Sequence, residues 1–362
     1  MSNTQTALDD MHAAAGLIPW SSATRCTVFG HWLASVAPQH RLLPASLCIA
    51  SADASFRRYL RITAADGASF IIMDAPPEHE NCAPFVHVAQ LMQQAGVRAP
   101  RVLAWDEANG FMLMTDLGRR TMLQAMNMED AAANAPRYHQ ALHALLRWQR
   151  ASRAGELPPY DAALLRRELG LFDEWYIGRH RGYSLDDTQR QELHALYALI
   201  ITRCLAAPQV FVHRDYMPRN LMLPDDGAPE LGVLDFQDAV YGPVTYDIAS
   251  LMRDAFHSWD ADFVQHITHA YWERARAAGL LDYENWARDF QPFWDAVQWM
   301  GLQRHLKVAG IFARLTLRDG KPKYLADAPR FITYIRSIAA RWPELAPLLR
   351  LIDAVENSVL RH

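Results

Sequence analysis

Between residues 25 and 36 the apolar positions Val28, Trp32, Leu33 and Val36 recur at helical spacing, which predicts a first helix. Three short runs rich in strand formers follow, at 47–50, 58–63 and 69–74. The turn residues Ala65, Asp66 and Gly67 read as a hairpin connection between the last two. A helical pattern over 83–95 stops at Gly96, and two further strand-like runs, 101–106 and 110–115, flank the polar turn at 107–109. After Gly118 the periodicity changes. Long helical patterns occupy 134–153, 161–179 and 185–205, and more run from Thr245 onward. Only 210–212, 221–223 and 231–234 interrupt them as short apolar strands. This order predicts an α+β chain in two lobes: a frayed start at 1–20, a small β-rich lobe at 21–116, and a larger, mostly helical lobe at 117–362.

Composition narrows the class. The chain has 362 residues, 51% of them hydrophobic and 21% charged, the balance of an ordinary globular enzyme. A formal net charge of -4 disfavours nucleic acid or an anionic membrane as a partner. The first residues carry Asp9 and Asp10 rather than a basic segment leading into an apolar run, so no signal peptide is expected. Cys26, Cys48, Cys82 and Cys204 lie far apart, as scattered thiols do. The expectation is a cytoplasmic protein with no membrane span and no obligatory protein partner.

The chemistry concentrates in His213-Arg214-Asp215-Tyr216-Met217-Pro218-Arg219-Asn220, a polar loop between two apolar strands. A second carboxylate, Asp235, ends the run Gly232-Val233-Leu234 and precedes Phe236. Phosphoryl transfer asks a protein mainly for alignment and for compensation of charge on the phosphate oxygens. Asp215 is suited to accept the proton of an attacking hydroxyl. Asn220 and Asp235 offer the hard oxygens that magnesium takes.

The joint pattern of HRDxxxxN, a turn at 224–227 and Leu-Asp-Phe resembles the catalytic loop and metal segment of the protein-kinase-like superfamily. The order of three strands, a helix and two strands is similar to the small lobe of that fold. The run Tyr241-Gly242-Pro243-Val244-Thr245-Tyr246-Asp247-Ile248-Ala249 follows Asp235 almost at once. It is similar to the aminoglycoside and choline phosphotransferase branch, and it leaves no room for a peptide-docking segment. Residues 51–59, 73–77, 117–118 and 303–314 further resemble the anomeric amino-sugar kinases of bacterial cell-wall recycling. That resemblance implies ATP and Mg2+, and an acceptor hydroxyl at C1 of N-acetylmuramate or N-acetylglucosamine. The alternatives are a kinase of another small-molecule hydroxyl, or a non-catalytic nucleotide-binding regulator.

The resemblance also assigns nucleotide-binding positions. Ser51 and Ser55 stand in the loop where related kinases carry glycines. Thr115 and Leu117 stand in the linker whose backbone would bond adenine. The third strand reads Phe70-Ile71-Ile72-Met73, so a thioether occupies the place of the usual phosphate-binding lysine. Arg57 or Arg58 is the expected replacement, since a guanidinium matches phosphate oxygens. Glu78 and Glu80 read as solvated surface, and Asp247 as a cap or a bond to the catalytic loop. For the acceptor, Glu174 and Trp175 on one helical run offer a carboxylate and a stacking plane. Arg304, His305 and Lys307 on another offer convergent polar groups, Arg304 and Lys307 being i,i+3 neighbours able to meet a substrate carboxylate.

Overall fold

In the computed structural model, residues 18–52, 56–225 and 227–359 are described. The chain divides into two compact units: residues 1–120 with 222–238, and residues 121–221 with 239–362.

The first unit is built on a five-stranded antiparallel sheet, β1 (Leu42–Ala52), β2 (Arg58–Ala64), β3 (Ser69–Asp74), β4 (Val102–Asp106) and β5 (Phe111–Thr115), in the order β1-β2-β3-β5-β4. Helix α1 (Ala23–His40) begins at Ser22, whose hydroxyl accepts the Arg25 N–H at 3.1 Å. Its Phe29, Trp32 and Leu33 pack on Leu60, Ile62, Ile72, Phe111 and Leu113, forming the apolar core of this unit. Helix α2 (Ala83–Gln94) starts with a proline in its first turn and buries Phe85, Val88, Leu91 and Met92.

The linker after β5 is fixed electrostatically. Asp116 accepts from Arg61 Nε at 2.6 Å, from Ser69 Oγ at 2.6 Å and from the Gly118 N–H at 3.1 Å. Gly118 has φ +123°, and a Cβ there would lie 2.4 Å from the Leu223 carbonyl oxygen, so only glycine lets these backbones meet.

The second unit is helical. Its elements include α3 (Met122–Ala125), α4 (Ala131–Arg150), α5 (Ala162–Leu171), α6 (Asp187–Leu205), α7 (Thr245–Met252), α8 (Ala261–Ala277), α9 (Phe290–Leu317), α10 (Ala328–Ala339) and α11 (Ala346–Val359). Aspartates cap many of them: Asp161, Asp186 and Asp260 each accept the backbone N–H three residues on. Helix α9 is buried on all sides from Val297 to Lys307, so that stretch has no solvent-facing side.

Two features depart from the linear pattern. The helical run over 161–179 turns into a π-helix at Phe172–His180. Trp175, Tyr176 and Ile177, consecutive along it, are all buried. The other is an extra strand, Val240–Pro243, which pairs antiparallel with Gln209–Val212, the strand that leads into the 213–220 loop. Among the described residues no helix is long and apolar enough to cross a membrane.

Candidate active site

In the first unit, Arg57 lies between β1 and β2, its Nε 3.1 Å from Glu80 Oε2. Both side chains are less than a fifth exposed, so Glu80 is an ion-pair partner rather than solvated surface. Burial alone would lower the Arg57 pKa, but Tyr59, Glu80 and Asp235 act on it together and raise it. Arg57 therefore stands within electrostatic reach of Asp235. Arg58 points elsewhere: its Nε is 3.0 Å from Asp74 Oδ2, it donates to the Pro19 carbonyl, and its guanidinium covers the Trp20 ring. Arg25 takes the other oxygen of the same carboxylate at 2.5 Å. The two neighbours separate at the entry to β2: Arg57 stands in the connection before the strand and Arg58 is its first residue. Met73 is 1% exposed, so an ammonium in its place would lose its hydration and need a partner to offset the loss.

Asp235 adopts φ +64°, a left-handed backbone rare for a non-glycine residue. Gln237 Nε2 donates to its Oδ1 at 3.0 Å. Next to it, the wholly buried Phe236 packs on Phe85 with centroids 4.8 Å apart, anchoring the segment to α2. Ser51 lies exposed in β1 opposite Tyr59, and Ser55 lies outside the described residues. The Thr115 N–H donates to the Arg101 carbonyl at 3.1 Å, and the Leu117 carbonyl accepts from Arg98 Nη1 at 3.1 Å.

In the second unit the 213–220 loop leaves the strand Gln209–Val212 and makes an abrupt turn at Arg214, where φ is +75°. Its main chain is bonded by side chains. Asp247, at the start of α7, accepts the His213 N–H at 2.7 Å and the Arg214 N–H at 3.1 Å. The Arg214 carbonyl accepts from Arg304 Nη1 at 2.9 Å. The Asp215 N–H donates to His213 Nδ1 at 3.2 Å, and the Asp215 carbonyl accepts from Asn220 Nδ2 at 2.9 Å. Since the nitrogen of the Asn220 amide bonds the loop, its opposite pole is the oxygen, the atom a hard cation takes.

Below the loop lies a carboxylate not singled out in the sequence. Glu168, on α5 and 5% exposed, accepts from Arg214 Nη2 at 2.6 Å and Lys307 Nζ at 2.8 Å through one oxygen. Through the other it accepts from Tyr160 at 2.5 Å and Gln303 Nε2 at 3.0 Å. Burial alone would push its pKa up, but Lys307 and Arg214 bring it down to about 2. Lys307 also bonds Tyr246 at 3.1 Å, and Arg304 lies over the Tyr246 ring. The signal was present: Leu165, Leu169 and Phe172 form a core stripe, and Glu168 occupies a position on that stripe.

The expected acceptor residues are thus distributed unevenly. Arg304 and Lys307 are buried and bonded within the protein around the loop. His305 is 1% exposed, stacks on Tyr334 at 4.5 Å, and has neither ring nitrogen hydrogen-bonded among the described residues. Burial pushes its pKa well below the ordinary range, so it is a neutral packing group. Glu174 is exposed and loosely paired with Arg179 at 3.7 Å, and Trp175 is covered by the same arginine. Among the described residues, none of the bonds given for the 213–220 loop includes either of them.

Residues 46–280 match the model of the phosphotransferase enzyme family. The chain is 50% identical over 311 residues to the N-acetylmuramate/N-acetylglucosamine kinase of Pseudomonas putida, covering 86% of this chain and 88% of that protein. It is 49% identical over 312 residues to the kinase of the same name from Pseudomonas aeruginosa, covering 86% and 89%. Among solved structures, an ethanolamine kinase from Plasmodium vivax shares the fold at a TM-score of 0.60 and 12% identity, covering 87% of this chain and 90% of that one.

Proposed function

The chain belongs to the phosphotransferase enzyme family, and on that premise we propose that it transfers the γ-phosphoryl group of ATP to the C1 hydroxyl of N-acetylmuramate or N-acetylglucosamine. The observation that carries the acceptor is the near-half identity to kinases of that name along most of both chains. What carries the chemistry is the side-chain-bonded loop that presents Asp215.

Asp215 accepts the proton of the C1 hydroxyl as that oxygen attacks the γ-phosphorus. The new O1–P bond forms as the bond to the bridging β-oxygen breaks, and ADP leaves with that electron pair. The hemiacetal hydroxyl at C1 is more acidic than an ordinary alcohol, so a carboxylate suffices as acceptor. Arg57 supplies positive charge to the phosphates, in the role a third-strand lysine plays elsewhere. The amide oxygen of Asn220 and the carboxylate of Asp235 are the donors that would hold Mg2+, and both are of the hard oxygen type it prefers. Bound there, the ion would neutralise charge on the phosphate oxygens.

Asp215→Asn preserves shape and removes the proton acceptor. With Mg-ATP and either sugar, its turnover is expected to fall at least ~100-fold, as loss of general-base assistance does. Unaltered sugar turnover in Asp215→Asn refutes the role, and a wild-type protein inert on both sugars refutes the acceptor.

A further inference from the structure

Arg214 holds a left-handed backbone that is unfavourable for a non-glycine residue, so something must keep it there. The main-chain groups that surround it are held by side chains: two N–H groups by Asp247, one carbonyl by Arg304, the next N–H by His213 and the next carbonyl by Asn220. Its own side chain is held by Glu168. A loop bonded this way takes its geometry from the donors and acceptors around it, not from a strand ladder.

We propose that Glu168 and Arg304 are positioning residues for Asp215, acting through Arg214, with Lys307 as the counter-charge that keeps Glu168 in place. The assignment rests on the reading of Asp215 as the group that meets the acceptor hydroxyl. Arg304 fixes the carbonyl immediately before Asp215 at 2.9 Å, and Glu168 fixes the Arg214 guanidinium at 2.6 Å. Together they grip one residue from its main chain and its side chain. Neither group is placed to bind sugar. Arg304 is 4% exposed, and all four hydrogen bonds to Glu168 come from inside the protein. Lys307 already bonds both Glu168 and Tyr246. A substrate carboxylate taking Lys307 would draw it from the buried Glu168, which would then keep Arg214 alone of the two cations that face it, and weakening a buried ion cluster is unfavourable. The convergence of Arg304 and Lys307 in the sequence therefore serves the loop, not the acceptor.

The test uses the full chain and four variants: Arg304→Met, Arg304→Lys, Glu168→Gln, and Glu168→Gln combined with Lys307→Met. Three quantities are read: kcat, the KM values for sugar and ATP, and sugar phosphate formed per ADP released. Misplacing a catalytic group by about 1 Å costs up to ~100-fold. Arg304→Met and Glu168→Gln are therefore expected to lose roughly 30–100-fold in kcat, with both KM values within about threefold. Sugar phosphate per ADP should fall in the same variants, because a displaced Asp215 no longer favours the sugar over water. Arg304→Lys should recover part of kcat. The double variant should exceed Glu168→Gln, since Lys307 no longer stands uncompensated.

A rise in sugar KM of tenfold or more with kcat retained would overturn the proposal and make these residues acceptor ligands. Normal kcat and normal coupling, with only lower yield or melting temperature, would reduce them to structural ties and overturn it as well. Where Glu168→Gln does not fold, the two Arg304 variants decide alone. The reading of the substrate fails separately: wild-type protein that phosphorylates a different hydroxyl refutes it, and the same variants are then scored on that acceptor.

Discussion

Replacing Arg57 and Arg58 one at a time with methionine separates two guanidiniums that adjoin in sequence and do different work. Arg58 shares the Asp74 carboxylate with Arg25, and that carboxylate is 3% exposed. Breaking a buried pair outright costs about 3–5 kcal/mol. Arg25 remains in Arg58→Met, and the Arg58 side chain is 28% exposed, so about 1–2 kcal/mol is the expected loss. That corresponds to a fall in melting temperature of roughly 1–3 °C for a chain of this length, with ATP kinetics close to wild type. Arg57 pairs with a partly exposed Glu80, and losing that pair costs about 0.5–1 kcal/mol of stability. Its charge beside phosphate is worth more: at an effective dielectric of ~20 and ~4 Å, about 4 kcal/mol as an upper bound. A drop of ~100- to 1000-fold in kcat/KM for ATP follows, similar to the loss of one oxyanion donor. Steady-state kinetics at varied Mg-ATP, beside thermal melts of the same preparations, reads both effects. Normal ATP kinetics in Arg57→Met would refute the assignment. So would a collapse confined to Arg58→Met.

Three further outcomes follow from packing and charge. A Cβ at Gly310 would lie 2.3 Å from the Leu171 backbone, where α5 passes into the π-helix, so Gly310→Ala must push α5 and α9 apart. About 1–3 kcal/mol of destabilisation is expected by chemical denaturation, with reduced activity because Glu168 and Lys307 sit one turn away on those helices; an unchanged midpoint would contradict it. Burial pushes Asp247 up to about 7 and Asp254 up to about 6, so between pH ~4 and ~7 the native state binds protons the unfolded chain has released. Stability should therefore fall as pH rises through that window, and Asp254→Asn should flatten the slope; an identical slope would contradict this. Glu168 is displaced the other way, to about 2, so its contribution is present above pH ~4.5 and is lost as pH falls toward 2. Urea melts between pH 5 and 2.5 should show a shallower decline in Glu168→Gln than in wild type, and equal declines would sink the idea.

Much of the fold was legible because it rests on period and punctuation. The strands of the first unit and the turn at Ala65-Asp66-Gly67 follow from alternation and glycine. The helices of the second unit follow from apolar spacing and aspartate caps. The π-helix was not legible, because apolar positions over 161–179 give a helical pattern without distinguishing a π-turn from an α-turn. Strand Val240–Pro243 was hidden by its glycine and proline. Of the candidate residues, Asp215, Asn220 and Asp235 stand out through spacing, which sequence records directly. The choice between Arg57 and Arg58 could not be made there, since it depends on Glu80, Asp74 and Arg25 arriving from separate elements. Arg304 and Lys307 were legible as a convergent pair but not as a buried one. Their surroundings are set by Glu168, about 135 residues earlier in the chain.

The most direct trial of the whole account is the position of the transferred phosphoryl group. Wild-type protein is incubated with Mg-ATP and N-acetylmuramate, and the product is observed by phosphorus NMR with proton coupling. The account predicts one sugar phosphate whose phosphorus couples to the anomeric proton and which mild acid cleaves. A phosphate at C6, stable to the same acid, would contradict it, and so would ADP accumulating with no phosphorylated sugar.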